Sequence, residues 1–104
     1  MQEFKKLVRD KIPDIIRQQG EIPSVKILSD DEYLLELEKK LSEEVREYQE
    51  SKEIEELADI LEILYAICEA KNYSISELNR IREEKLNRRG GFLKKYFLIS
   101  KSKI

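Results

Sequence analysis

The chain has 104 residues, with 20 Lys and Arg against 22 Asp and Glu, for a formal charge of -2. That size fits one domain, residues 1–104, with a modest core and an incentive to oligomerise. It lacks the basic excess by which nucleic-acid polymers are held through bulk electrostatics. With no histidine anywhere, His-based triads and zinc–histidine centres are excluded.

Charged and hydrophobic residues each make up 40% of the chain, with three Gly and two Pro, which describes a folded helical protein and not a disordered tail. The single cysteine, Cys68, sits among apolar neighbours and reads as a buried thiol in a reducing, cytoplasmic setting. No apolar run approaches the ~18 residues that cross a bilayer, so neither a signal peptide nor a membrane anchor is expected.

In chain order, residues 5–19 carry apolar residues at Leu7, Val8, Ile12, Ile15 and Ile16, predicting a short helix with Asp10 as a cap, Pro13 in its first turn and Gly20 at its end. Residues 25–28, Val-Lys-Ile-Leu, are too few for a helix and rich in β-branching, so a strand is expected. A long amphipathic helix begins at Asp30 or Asp31 and carries Leu34, Leu37, Leu41, Val45 and Tyr48 at steps of three and four.

Ser51-Lys52 interrupts that pattern weakly. Residues 53–71 are apolar on nearly every side, which requires a central helix with neighbours or a partner chain. Asn72 is placed to close it, and Ser74-Ile75-Ser76-Glu77 is a Ser-x-x-Glu capping box that opens another helix, stopped at Gly90-Gly91. Residues 96–99 have strand character. The expected fold is therefore mainly α, an antiparallel helical bundle, with a small two-stranded β ribbon pairing residues 25–28 with 95–100.

Two acidic pairs stand out: Glu44 with Glu47, and Glu56 with Asp59, each three residues apart on one helix face. Spacing alone decides nothing, because a chain with 22 acids yields roughly four to five such pairs by chance. A solvated charged face is the plain alternative. Position favours a site, since Glu44 and Glu47 border the apolar stripe of their helix, and Asp59 continues the line of Ile63, Ala66 and Ala70. Four converging carboxylates cost several kcal/mol per uncompensated ion unless a cation joins them. An all-oxygen donor set points to Mg²⁺, with Mn²⁺ the next choice, and carboxylate-held magnesium commonly also binds phosphate oxygens.

At these residues the chain resembles the all-α nucleoside triphosphate pyrophosphatase superfamily, the MazG-like and phosphoribosyl-ATP pyrophosphohydrolase-like proteins, whose site is written E-x-x-E followed on the next helix by E-x-x-D. Glu44-Val45-Arg46-Glu47 and Glu56-Leu57-Ala58-Asp59 match that pattern. Lys6-Leu7-Val8-Arg9-Asp10-Lys11-Ile12-Pro13 and Arg89-Gly90-Gly91-Phe92 extend the likeness to a compact single-domain, house-cleaning branch.

The resemblance implies hydrolysis of a nucleoside triphosphate to a monophosphate and pyrophosphate. Glu44, Glu47, Glu56 and Asp59 would ligate Mg²⁺, with Glu47 or the adjoining Glu43 orienting or deprotonating water. Glu44, Glu47 and Glu43 thus form the catalytic group. The triphosphate also needs cations, for which Arg9, Lys11, Lys40, Lys85, Arg88 and Arg89 are the candidates. A homodimer or homotetramer is implied as well. The alternatives are a phosphoribosyl-ATP pyrophosphohydrolase, disfavoured by the two terminal motifs, and a noncatalytic helical dimerisation module.

Overall fold

The computed structural model describes residues 3–104, and among them it contains four α-helices and no strand. The helices are α1 (Ile12–Gln18), α2 (Asp30–Ser51), α3 (Ile54–Ala70) and α4 (Ile75–Arg89). The chain divides into two compact units, one ending at Tyr73 and the other Ser74–Ile104. The mainly-α expectation holds. The expected ribbon does not form: residues 25–28 and 95–100 carry no strand pairing. Two short strands without a third strand or a covering helix are at best marginal in water.

Helix ends follow local chemistry. Ser29 caps α2 in a complete capping box: its hydroxyl accepts the Glu32 amide N–H, and the Glu32 carboxylate accepts the Ser29 N–H. The start of α2 is thus set by Ser29, one residue before the expected aspartates, whose charges suit the helix dipole. At α4, Ser74 likewise accepts from the Glu77 N–H, while the Glu77 carboxylate lies against Arg80.

Two helices close with the same pair of hydrogen bonds. After α1, Gly20 at φ 85° lets the Glu21 N–H reach the Ile16 carbonyl and the Gly20 N–H reach that of Arg17. After α3, Asn72 at φ 60° does the same with Tyr73 onto Cys68 and Asn72 onto Glu69. Both are Schellman closures, which need a left-handed residue and therefore favour Gly or Asn.

α1 is shorter than the sequence suggests. It starts at Ile12, and its N-cap is Lys11, with no side-chain cap, so Asp10 does not play the capping part expected of it. With Asp10 as N-cap, Pro13 would be the third helical residue, and its missing N–H removes the donor that such a cap takes, while the Ile12 N–H is already bonded to the Arg9 carbonyl.

α2 and α3 pack along one another, and the two residues between them, Lys52 in left-handed backbone and Glu53, make the pair an antiparallel helical hairpin. Leu37, Ile63 and Cys68 are its buried apolar residues, at 3%, 6% and 8% exposure. On α3 the half-buried positions Ile60, Ala66, Ile67 and Ala70 join Ile63 on the α2 side, while Ile54, Leu57, Leu61 and Leu64 remain exposed. The thiol of Cys68 is buried and free, as its apolar neighbours predict.

The capping box supplies a test of this local account. Ser29→Ala removes the hydroxyl and should destabilise the fold by about 1 kcal/mol, read as a lower urea midpoint with unchanged m-value.

Candidate functional site

The acids of both pairs lie toward the closed end of the α2–α3 hairpin, where the sequence steps back from Lys52 to Glu47 and Glu44 and forward from Glu53 to Glu56 and Asp59. All four are buried or half-buried, so they belong to the seam between the helices and not to its solvent face. Carboxylate oxygens of Glu44, Glu56 and Asp59 lie within 4.8 Å of one another. Glu47 stands next to this trio and acts on it electrostatically, but it is not one of the three that converge.

Glu44 is the centre of the arrangement. It is 7% exposed, the one buried charged residue among the described residues. Its Oε1 faces the Lys40 ammonium at 3.8 Å, too far for a hydrogen bond, and its Oε2 is buried with no hydrogen-bond partner. Burial raises its pKa from 4.5 to about 7, helped by the nearby carboxylates of Glu47 and Asp59, which favour the protonated form, against a smaller opposing pull from Lys40. Glu56 is raised too, chiefly by loss of hydration and next by the charge of Glu47.

A buried oxygen that finds no donor normally has a water, proton or ion to explain it. The donor set fits a hard cation. Three oxygens on one octahedral Mg²⁺ include at least two neighbouring pairs about 3.0 Å apart, given its usual bond length of about 2.1 Å, so the trio, within 4.8 Å of one another, has to draw in around the ion to grip it. Glu44, Glu56 and Asp59 are the residues that would hold the ion, with Glu47 beside them.

Asp59 also accepts a 2.7 Å hydrogen bond from Arg9 Nη2. Fifty residues separate the two, so no helical periodicity could have announced the pairing. Arg9 entered the sequence reading as a phosphate ligand, and the structure places it on the acidic cluster itself. Lys40, also a phosphate candidate, is likewise drawn to a carboxylate of the cluster. Glu43 is half-buried on α2, adjoining Glu44 in the chain. Lys11 is exposed just ahead of α1. Lys85, Arg88 and Arg89 are exposed on α4, in the second unit, with Arg88 and Arg89 in the last turn, where cations suit the helix dipole. Gly90 follows at φ 80° as the helix stop. Glu62 is exposed on α3, away from the seam.

No family profile matches the chain, and no solved structure matches it. An uncharacterized protein of Mycolicibacterium smegmatis is 56% identical to it over 41 residues, 39% of this chain and 42% of that protein. The chain thus spans under half the length of this relative. No helix among the described residues is long and apolar enough to cross a membrane.

The raised Glu44 pKa has a signed consequence. Between pH 4.5 and about 7 the folded protein keeps a proton that the unfolded chain has lost, so stability falls as pH rises across that window. The loss should total on the order of 3 kcal/mol, at about 1.4 kcal/mol per pH unit. Glu44→Gln should flatten this decline in metal-free buffer and be the more stable form at pH 8, checked by urea unfolding in chelator from pH 5 to 8.

Proposed function

We propose that the chain is a Mg²⁺-dependent nucleoside triphosphate pyrophosphohydrolase, with Mn²⁺ as a substitute ion, that releases a monophosphate and pyrophosphate for nucleotide-pool cleaning. The observation that carries this reading is the orphaned, buried Oε2 of Glu44 beside Glu56 and Asp59. A merely solvated acidic face would have left Glu44 and Glu56 in water at their ordinary pKa. The matching E-x-x-E and E-x-x-D pairs and the two terminal motifs supply the reaction class.

In this reading Glu44, Glu56 and Asp59 hold the ion, which supplies charge neutralisation to the phosphate oxygens when bound. Glu47, half-buried one turn after Glu44, or Glu43 beside it, orients the attacking water and takes its proton. Arg9 is the guanidinium already stationed at the cluster, and its planar fork suits a phosphate as well as a carboxylate. Lys40 offsets part of the negative charge around Glu44. Lys11, Lys85, Arg88 and Arg89 complete the set of cations available to a triphosphate.

Pyrophosphate release from a panel of ordinary, deoxy and modified nucleoside triphosphates, with phosphoribosyl-ATP included, tests the activity and orders the substrates. No release from any of them in Mg²⁺ or Mn²⁺ would sink the reading. Asp59→Asn should lower kcat at least 100-fold, about 2.7 kcal/mol of barrier, with helicity unchanged. Saturating Mg²⁺ at 100 times its Kd should stabilise the wild-type fold by about 2.7 kcal/mol. It should leave Glu44→Gln nearly unaffected, and an equal rise in both would place the ion elsewhere. A noncatalytic dimerisation module would tolerate both substitutions and ignore the metal.

A further inference from the structure

Two cations attend the acidic cluster, and they do so differently. Lys40 Nζ stays 3.8 Å from Glu44 Oε1, a Coulombic neighbour without a hydrogen bond. Arg9 Nη2 donates to Asp59 Oδ1 at 2.7 Å, so one oxygen of a residue placed to hold the ion is already engaged by a guanidinium. Lys40 reaches Glu44 from one turn away on the same helix, whereas Arg9 comes from irregular backbone ahead of α1.

That segment is lightly held. α1 packs on neither α2 nor α3, and among the described residues the Arg9–Asp59 contact is the one ion pair or hydrogen bond between residues 3–21 and the hairpin. Both partners face solvent, with 57% of the Arg9 side chain and 39% of the Asp59 side chain exposed. Exposed pairs of this kind change an equilibrium only about two- to fivefold. Such a contact gives way to a stronger competitor.

A divalent cation is that competitor. It carries twice the charge of a guanidinium and bonds carboxylate oxygen at about 2.1 Å. On the oxygen that Arg9 occupies, ion and guanidinium nitrogen would lie within roughly 5 Å of each other, two like charges in a half-buried cleft.

We propose that Arg9 is a displaceable counter-ion: it neutralises Asp59 in the metal-free protein, leaves when a divalent cation binds Glu44, Glu56 and Asp59, and then takes a phosphate oxygen of the incoming polyphosphate. The proposal rests on the metal-site reading of the cluster. Asp59 keeps a positive partner in both states, and the released guanidinium finds a new anion in the polyphosphate, which its planar fork fits as it fits carboxylate. The coupling runs both ways, since a phosphate that draws Arg9 from Asp59 also favours the ion. A structural tie would predict that loss of Arg9 weakens both ligands; a displaceable counter-ion predicts opposite signs.

Calorimetric titration of Mn²⁺ alone into the metal-free full chain, and of Mg²⁺-tripolyphosphate into the Mg²⁺-saturated chain, tells these apart. Arg9→Ala should bind Mn²⁺ about two- to fivefold more tightly. It should bind Mg²⁺-tripolyphosphate roughly tenfold more weakly, the weight of a charge-assisted hydrogen bond. Arg9→Lys should restore both affinities in part. Arg17→Ala, which deletes the same charge from the Asp14 pair on α1, should leave both unchanged. Tighter ion binding cannot arise from lost folding, so the first result is free of that ambiguity. Mn²⁺ affinity that is unchanged or weaker in Arg9→Ala, or an equal gain in Arg17→Ala, overturns the exchange and leaves the metal site standing. So does tripolyphosphate binding that is absent in the wild type or undiminished in Arg9→Ala. A wild type that binds no Mn²⁺ overturns the metal site, and the exchange and the proposed activity with it.

Discussion

Three carboxylates drawn together inside a helix–helix seam are the constraint around which the first unit is organised. Glu44, Glu56 and Asp59 occupy positions where a stable hairpin would ordinarily place Leu or Ile, and isolated buried carboxylates are costly. The surrounding chain answers this charge in every available way. Lys40 leans toward Glu44 from one turn away, Arg9 reaches Asp59 from the segment before α1, and Glu44 itself holds a proton up to about pH 7. None of these completes the coordination of Glu44 Oε2. The cluster could hold a compact cation, with which the proton on Glu44 would compete near neutrality.

The same constraint explains why the hairpin is so firmly defined at its ends. Helices that lack a large buried interface depend more heavily on caps and closures, which each contribute on the order of 1 kcal/mol. α2 has a full capping box at Ser29 and Glu32, and α3 ends in a Schellman closure on Asn72. The left-handed Lys52 turns the chain directly from one helix to the next, so the register that brings Glu44 opposite Glu56 and Asp59 follows from a two-residue connection with little freedom. Apolar burial is spread thinly around this frame, with Leu37, Ile63 and Cys68 the buried apolar side chains. The acidic seam thus comes at some cost in apolar core.

Much of this was legible in the sequence because it is local. Helix limits follow from Ser29, Ser74, Gly20, Asn72 and Gly90, and the seam positions of the acids follow from their steps of three and four relative to Leu37, Leu41 and Ile63. Where the reading missed, the deciding forces were not local. The Asp10 cap lacked a donor, since Pro13 has no N–H and the Ile12 N–H is taken by the Arg9 carbonyl. The ribbon needed a sheet partner that β-branched composition alone does not provide. The distinction between Glu47 and the converging trio depends on how two helices face each other. The Arg9–Asp59 pair joins residues fifty apart, so no motif spacing contains it. Position relative to an apolar stripe identified the right helix faces, but only tertiary geometry ranks the acids upon them.

The formal charge of -2 conceals how unevenly charge is distributed, and that unevenness bears on the proposed site. The first 84 residues are strongly acidic, and the last twenty are wholly basic among their charged groups. A free triphosphate approaching the cluster of Glu44, Glu47, Glu56 and Asp59 meets carboxylates within a Debye length of about 8–10 Å, where repulsion is poorly screened. A divalent cation meets attraction at the same place. Under the pyrophosphohydrolase reading, ion and nucleotide therefore favour each other's binding: charge neutralised by one is charge the other need not oppose. Arg9 fits this order, since a guanidinium paired with Asp59 is held close to the phosphate position without presenting an uncompensated charge of its own. The basic residues that the sequence assigns to phosphate binding then differ in kind. Arg9 and Lys40 are part of the cluster's own charge balance, whereas Lys85, Arg88 and Arg89 belong to a unit with no acids to neutralise beyond Glu77, Glu83 and Glu84.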